Sequence, residues 1–281
     1  MYVLLIAATI LCATQFLFHQ AFSKTQNDGL KSVLTFSICT HFISFFVMLL
    51  LNHLNIKLTW FSVLLGLWSA INSILYSYFG LKALTKANLS VYSIFAMLGG
   101  LILPFAVGVI FFNEDLTIPK ILCSCFIIVS LLLTFEKGKS EKNTMFLYFA
   151  VFVLNGMSAV ISKVHQSNTE LCTDSYSFVA IGNILCFTIC LLWYLVKFKK
   201  MPQVNKKEFT YTSGYALSSG IANLLMLIAL TQLPASVQYP IVTGGVIFFS
   251  TVVSVIMKQK PSKKTIVSAV IAFLATVLII L

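Results

Sequence analysis

The chain consists of long apolar runs separated by short polar connectors. Each run is apolar on all faces over roughly 20 residues, the length that a helix needs to cross about 30 Å of hydrocarbon. No connector is long enough to form a separate soluble domain. The pattern predicts an all-α membrane protein with ten transmembrane helices, at residues 2–22, 30–51, 58–81, 89–112, 119–135, 145–165, 175–196, 209–231, 235–257 and 265–281.

Composition agrees with this pattern. Hydrophobic residues make up 59% of the 281 positions and charged residues only 10%, whereas soluble domains are about 25% charged. Met1 and Tyr2 supply no basic segment, and no small-residue cleavage pattern precedes Lys24, so the first run is predicted to be a retained helix rather than a signal peptide.

The basic residues are all lysines, and their positions predict the orientation. Alternate connectors, beginning with the first, hold 16 of the 19 lysines, whereas the acids divide evenly between the two sides. Because lysine-rich connectors face the cytoplasm, both termini are expected outside. The net charge of +11 therefore reports membrane orientation, and no nucleic-acid partner is expected.

Signatures of catalysis and metal binding are missing from the sequence. Four histidines show no H-E-x-x-H spacing, and Cys123-x-Cys125 lacks the second half of a zinc site. We therefore expect neither an enzyme nor a bound cofactor or metal.

An internal repeat is visible at a shift of 146 residues. The shift aligns Ala83-Leu84-Thr85 with Ala229-Leu230-Thr231, and one residue of slippage aligns Gly99-Gly100 with Gly244-Gly245. Five predicted helices lie on each side of a hydrophilic connector. An odd number of helices per unit inverts the second copy, a geometry that permits alternating access to a central cavity. The predicted units are residues 1–137 and 145–281, joined by 138–144.

A family resemblance is carried by three segments. Residues 225–281, with Tyr239-Pro240 and Gly244-Gly245, resemble the last three helices of small multidrug resistance proteins, and residues 111–119 resemble the turn between the last two of them. Residues 154–163 resemble the first helix of the same unit. Ten helices in two such units resemble the EamA-type members of the drug/metabolite transporter superfamily. The resemblance implies two inverted bundles around a central cavity and a transport function.

One departure from the resembled family concerns its membrane-embedded glutamate, which exchanges protons for cationic drugs. Asn155 occupies the position of that glutamate, while Lys163 keeps the position of its lysine. All eight acids lie in connectors or at predicted helix ends, so no acid buried in a span is expected. This argues against proton-for-cation exchange.

A substrate site is therefore expected to consist of neutral polar groups and aromatic rings. The candidates share helix faces at spacings of three or four residues, and Tyr239 also matches a pocket tyrosine of the resembled family. They are Gln15, His19, Trp68, Asn72, Tyr76, Tyr92, Asn155, Ser158, Lys163, Asn223, Gln238 and Tyr239.

Each candidate has a structural alternative. Buried amides often only hydrogen-bond to a neighbouring helix, and His19 is either a proton carrier or a neutral, bonded histidine. Lys163 either extends to the interface, attracts a substrate anion or pairs with a helix C-terminus. Gly99, Gly100, Gly244, Gly245 and Pro240 are assigned to close packing or helix bending.

The leading hypothesis is a secondary transporter that moves a small neutral or zwitterionic, amino-acid-like metabolite across a bacterial inner membrane as a monomer. Its expected partners are the small-molecule substrate and the bilayer. Efflux of cationic drugs is the alternative within transport. A flippase or binding protein for lipid-linked precursors is the alternative of another class.

Overall fold

The computed structural model of the chain is all-helical in the residues that it describes, which are 1–23, 25, 29–86, 89–133, 142–256 and 262–280. Its ten helices follow the predicted order. They are α1 (Tyr2–Ser23), α2 (Leu30–Leu51), α3 (Trp60–Lys86), α4 (Leu89–Phe112), α5 (Ile118–Leu133), α6 (Lys142–Ser167), α7 (Ser175–Phe198), α8 (Lys206–Leu230), α9 (Ala235–Ile256) and α10 (Lys263–Ile280).

Seven of these helices, α1 to α4 and α6 to α8, contain stretches long and apolar enough to cross a membrane. Helix α5 is apolar but has only 16 residues, which corresponds to about 24 Å. The chain is a multi-pass membrane protein.

A capping box makes α8 begin earlier than hydropathy predicts. Asn205 Oδ1 accepts a hydrogen bond from the Glu208 N–H at 2.9 Å, and Glu208 Oε2 accepts one from the Asn205 N–H at 3.1 Å. This capping box starts α8 at Lys206 rather than 209. Helix α6 includes 142–144, which were predicted to be connector, whereas 138–141 lie outside the described residues.

Helices from the first half of the chain pack mainly on helices from the second half. The main contacts between the halves pair α1 with α8 and α9, α2 with α7 and α8, α3 with α6 and α7, α4 with α6 and α9, and α5 with α10, and within the second half α9 also packs on α10. Glycines allow two of these contacts. Gly214 in α8 faces the Phe18 ring of α1, and Gly99 in α4 lies against the Phe152 backbone of α6. Eight helices thereby surround one central cavity.

Candidate functional site

The central cavity has a volume of about 250 Å³ and is lined by side chains from α1 to α4 and α6 to α9. This is slightly below the range of roughly 300–1,000 Å³ typical of small-molecule sites. The polar lining consists of hydroxyl, amide, imidazole and phenol groups. It includes Gln15, His19, Thr40, His41, Ser44, Ser69, Asn72, Ser73, Tyr76, Ser77, Asn155, Ser158, Ser162, Asn183, Tyr215, Ser219, Asn223, Tyr239 and Thr243.

The cavity wall is neutral. No Asp, Glu, Lys or Arg appears among the lining residues in the described part of the chain. A lone ion that entered such a cavity would lose hydration without meeting an opposite charge, which costs far more than burial of a hydrogen-bonded neutral group. The arrangement therefore favours solutes without net charge.

Three asparagines of the lining each donate to a backbone carbonyl, two of them on a neighbouring helix. Asn72 Nδ2 donates to the Leu154 carbonyl of α6 at 2.9 Å, and Asn155 Nδ2 donates to the Ala96 carbonyl of α4 at 2.7 Å. Asn183 Nδ2 donates within α7 to the Val179 carbonyl at 2.8 Å. These bonds fix the orientation of each amide and satisfy its donor inside the bilayer.

A histidine on α2 joins three helices at the cavity wall. His41 Nδ1 lies 2.7 Å from Asn183 Oδ1, and Ser73 Oγ of α3 lies 3.1 Å from His41 Nε2. Because the amide nitrogen of Asn183 is bonded to Val179, its oxygen faces His41 and must accept. Nδ1 therefore carries a proton, and Nε2 of the neutral ring accepts from Ser73.

Aromatic rings surround His19 at one end of the cavity. The His19 ring stacks on Phe36 with centroids 5.1 Å apart and lies 5.5 Å from Tyr215. The fully buried Tyr92 lies 6.4 Å from the same ring, and its hydroxyl donates to Tyr76 Oη at 2.9 Å. Tyr92 therefore lies behind the wall and orients Tyr76, which lines the cavity.

An ion pair holds three segments together outside the cavity lining. Lys163 Nζ lies 2.6 Å from Glu114 Oε1, and these side chains are 12% and 7% exposed. The same carboxylate accepts hydrogen bonds from the first N–H groups of α9, those of Ala235 at 2.9 Å and Ser236 at 2.8 Å. A carboxylate at a helix N-terminus also interacts favourably with the helix dipole.

The Glu114 carboxyl is held in its charged form. Burial alone would raise its pKa, but the Lys163 ammonium and the two backbone N–H groups outweigh this effect and lower the pKa below its ordinary value. Glu114 lies in the connector between α4 and α5, as the sequence indicates, but its side chain is buried there. The side chain folds against Gly108, where an added Cβ would be 2.9 Å from the carboxylate.

A comparison with family models gives a match to the EamA-like transporter family over residues 142–281. The chain belongs to the EamA-like transporter family. Members of this family are membrane transporters of small molecules and not enzymes, so the function class predicted from the sequence is confirmed.

A solved structure described only as "Crystal structure of protein" is similar to this EamA-like transporter over its whole length. It aligns with a TM-score of 0.74 at 15% identity, covering 98% of this chain and 94% of that chain. At this identity the similarity supports the fold alone. No curated protein gives a significant match.

Eight residues of the EamA-like transporter that the sequence singles out line its cavity: Tyr76, which Tyr92 orients from behind the wall, and seven others. The seven others are Gln15, His19, Asn72, Asn155, Ser158, Asn223 and Tyr239. Tyr239 Oη donates to the Ala159 carbonyl of α6 at 3.0 Å. Gln238 is buried outside the lining and donates to the Met226 carbonyl at 2.9 Å. Trp68 is 51% exposed and lies outside the lining.

The predicted packing glycines differ in their surroundings. Gly99 touches the α6 backbone, Gly100 faces the Asn155 amide, and Gly245 faces Thr9 of α1. Gly244 is buried, and Pro240 lies inside α9.

His41 and Glu114 are the residues that sequence reasoning missed. The spacing of Ser37, His41 and Ser44 along an otherwise apolar run marks a polar face of α2 and is the signal that could have found His41. Among the described residues, no group of three or more histidines, cysteines and acids is placed to hold a metal ion.

Proposed function

We propose that this EamA-like transporter carries a small neutral or zwitterionic metabolite, amino-acid-like in size, by secondary transport. The observation that carries the proposal is the neutral, hydrogen-bonding lining of a cavity of about 250 Å³. A cationic drug would find no carboxylate among the described lining residues, and an anion would find no lysine there. Both ions would pay the desolvation cost uncompensated.

Alternating access between two inverted five-helix repeats is the proposed mechanism. The packing pattern supports it, because exchanging each helix for the one five positions away in the chain converts the main contacts between the two halves into one another. The α1–α8 contact becomes α6–α3, the α1–α9 contact becomes α6–α4, and the α2–α7 contact is unchanged. In a transporter with two inverted repeats, each repeat can adopt the packing of the other, and this opens the central cavity to one side of the membrane or the other.

The proposed orientation has the lysine-rich connectors in the cytoplasm and both termini outside, in a bacterial inner membrane. The ion pair of Lys163 and Glu114 then lies at the outer end of the cavity. We further propose that a single chain transports, because each candidate repeat already has its partner in the same polypeptide. A reporter fused after Leu281 that is active in the cytoplasm would contradict this orientation.

Solute counterflow in proteoliposomes tests the proposed function. Proteoliposomes that contain the purified protein are preloaded with an unlabelled solute. Five classes are tested separately: amino acids, nucleosides, sugars, quaternary amines and lipid-linked precursors. We expect exchange of labelled solute for a neutral or zwitterionic class only. Exchange of quaternary amines alone would instead indicate cation efflux, and movement of lipid-linked precursors alone would indicate a flippase.

A further inference from the structure

Amide side chains in and beside the cavity fall into two groups that the sequence does not distinguish. The amide nitrogens of the first group donate to backbone carbonyls at 2.7–2.9 Å, and its members are Asn72, Asn155, Asn183 and Gln238. One donor hydrogen of each amide is therefore already used, and the bonds of Asn72, Asn155 and Gln238 reach a neighbouring helix, although Gln238 Oε1 has no partner among the described residues. These four amides are therefore fastened by the protein itself.

Gln15 and Asn223 form the second group. Both line the cavity, and neither side chain forms a hydrogen bond with any residue in the described ranges. Asn223 is exposed and Gln15 is half-buried, so both amides can form hydrogen bonds with a molecule that enters the cavity. They belong to α1 and α8, which pack together where Gly214 faces Phe18.

His19 lies one turn after Gln15 on the same face of α1. Its side chain is 4% exposed, and its Nε2 atom is buried without a hydrogen-bond partner among the described residues. Stacking on Phe36 at 5.1 Å fixes the ring in place. An unpartnered ring nitrogen thus belongs to the residue one helical turn from the unpartnered Gln15 amide, although unbonded buried polar groups are rare in folded proteins.

We propose that Gln15 and Asn223 bind the polar groups of the substrate, and that these groups are uncharged and present a donor and an acceptor side by side. A primary amide offers such an edge itself and therefore forms paired hydrogen bonds with a carboxamide or with the lactam edge of a nucleobase. A carboxylate in the same position would present acceptors only, with no cation in the wall to balance it. This inference rests on the proposed function and narrows its substrate class.

Binding to the purified full-length protein in detergent tests the inference separately from transport. Three matched pairs of probes compare a compound that presents a donor beside an acceptor with a close analogue that does not. The pairs are L-glutamine against L-glutamate, nicotinamide against nicotinate, and uracil against 1,3-dimethyluracil. We expect at least one first member to bind and its partner to bind at least tenfold more weakly. A result in which neither member of any pair binds, or in which both members of each binding pair bind equally, would overturn the inference.

Variants locate the binding groups. Gln15→Leu and Asn223→Leu should each weaken binding of the preferred probe about fivefold to tenfold, as expected for the loss of one hydrogen bond of about 1–1.5 kcal/mol. Their thermal stability should stay close to that of the unmodified protein. Asn72→Leu is the matched control, since its amide is used by Leu154, and it should lower stability more than affinity. If a leucine variant does not fold, the isosteric Gln15→Glu or Asn223→Asp variant replaces it in the same binding measurement.

The outcomes separate the two proposals. If the probe binds through Gln15 and Asn223 but no solute class exchanges in proteoliposomes, the proposed function fails and the inference stands. If solutes exchange with unchanged apparent affinity in the Gln15→Leu and Asn223→Leu variants, the inference fails and the proposed function stands.

Discussion

Lys163 Nζ lies 2.6 Å from Glu114 Oε1, and this ion pair joins the end of α6 to the connector between α4 and α5. Because Glu114 also accepts from the first two N–H groups of α9, one carboxylate connects three segments. Glu114 belongs to the first half of the chain, whereas Lys163 and α9 belong to the second. The two halves are thus held together beside the cavity.

Removing either member of the pair should destabilise the protein. Lys163→Ala leaves a buried carboxylate and Glu114→Ala leaves a buried ammonium, and breaking a buried pair typically costs about 3–5 kcal/mol. Thermal unfolding in detergent measures the effect, with the exposed Lys57→Ala as a control that should be nearly neutral. The double variant should lose less than the sum of the two single losses. Strictly additive losses would contradict a direct interaction.

Acid should weaken the same contact. The folded-state pKa of Glu114 is lowered, so its contribution to stability is complete above the ordinary glutamate pKa of about 4.3 and is lost as pH falls through the folded-state value. Glu114→Gln should therefore be less stable than the unmodified protein at neutral pH, and the difference should shrink in acid. Unfolding temperatures measured across a pH series provide the check. A difference that does not change with pH would exclude this role.

The Asn155→Asp variant places a carboxylate at the position that corresponds to the membrane-embedded glutamate of the small multidrug resistance proteins that the sequence resembles. Asn155 Nδ2 donates to the Ala96 carbonyl at 2.7 Å, and an ionised aspartate cannot donate. The variant should be destabilised by about 1–3 kcal/mol at pH 8 and should recover as pH falls, because a protonated aspartate can donate again. Asn223→Asp is the matched control, since its amide has no described protein partner, and its stability should depend less on pH.

Much of the fold could be predicted from the sequence because hydropathy alone sets the spans. The ten helices occur in the predicted order, and α8 begins earlier than predicted because of the Asn205–Glu208 capping box. The arrangement of the two repeats stays a prediction. The spacing of Asn205 and Glu208 is that of a capping box, a pattern that predicts a helix start at Lys206 from the sequence alone.

The candidate site was less predictable, because its contacts join residues far apart in the chain. Lys163 stood out as a cation near the end of a span, but its partner Glu114 lies in a connector and looks solvated in sequence. His41 bonds to Asn183, 142 residues away. Hydropathy also does not distinguish Asn72 from Asn223, since both are asparagines within apolar spans. Only Asn72 forms a hydrogen bond with a neighbouring helix in the described part of the chain.

Close packing of α4 on α6 should be sensitive to a single methyl group. A Cβ on Gly99 would overlap the Phe152 carbonyl, so Gly99→Ala requires the two helices to separate. We expect a loss of about 1–3 kcal/mol, as for overpacked cores. Gly182→Ala is the control in α7, where the nearest atom would lie at an ordinary 3.8 Å. Unfolding temperatures that fall equally in both variants would show that Gly99 has no special packing role.

The most direct test of the central claim is counterflow by the purified protein in proteoliposomes, comparing L-glutamine, which has no net charge, with choline, a quaternary amine of similar size. The neutral lining of the cavity predicts exchange of L-glutamine above protein-free liposomes and none of choline. Exchange of choline without exchange of L-glutamine would contradict the account.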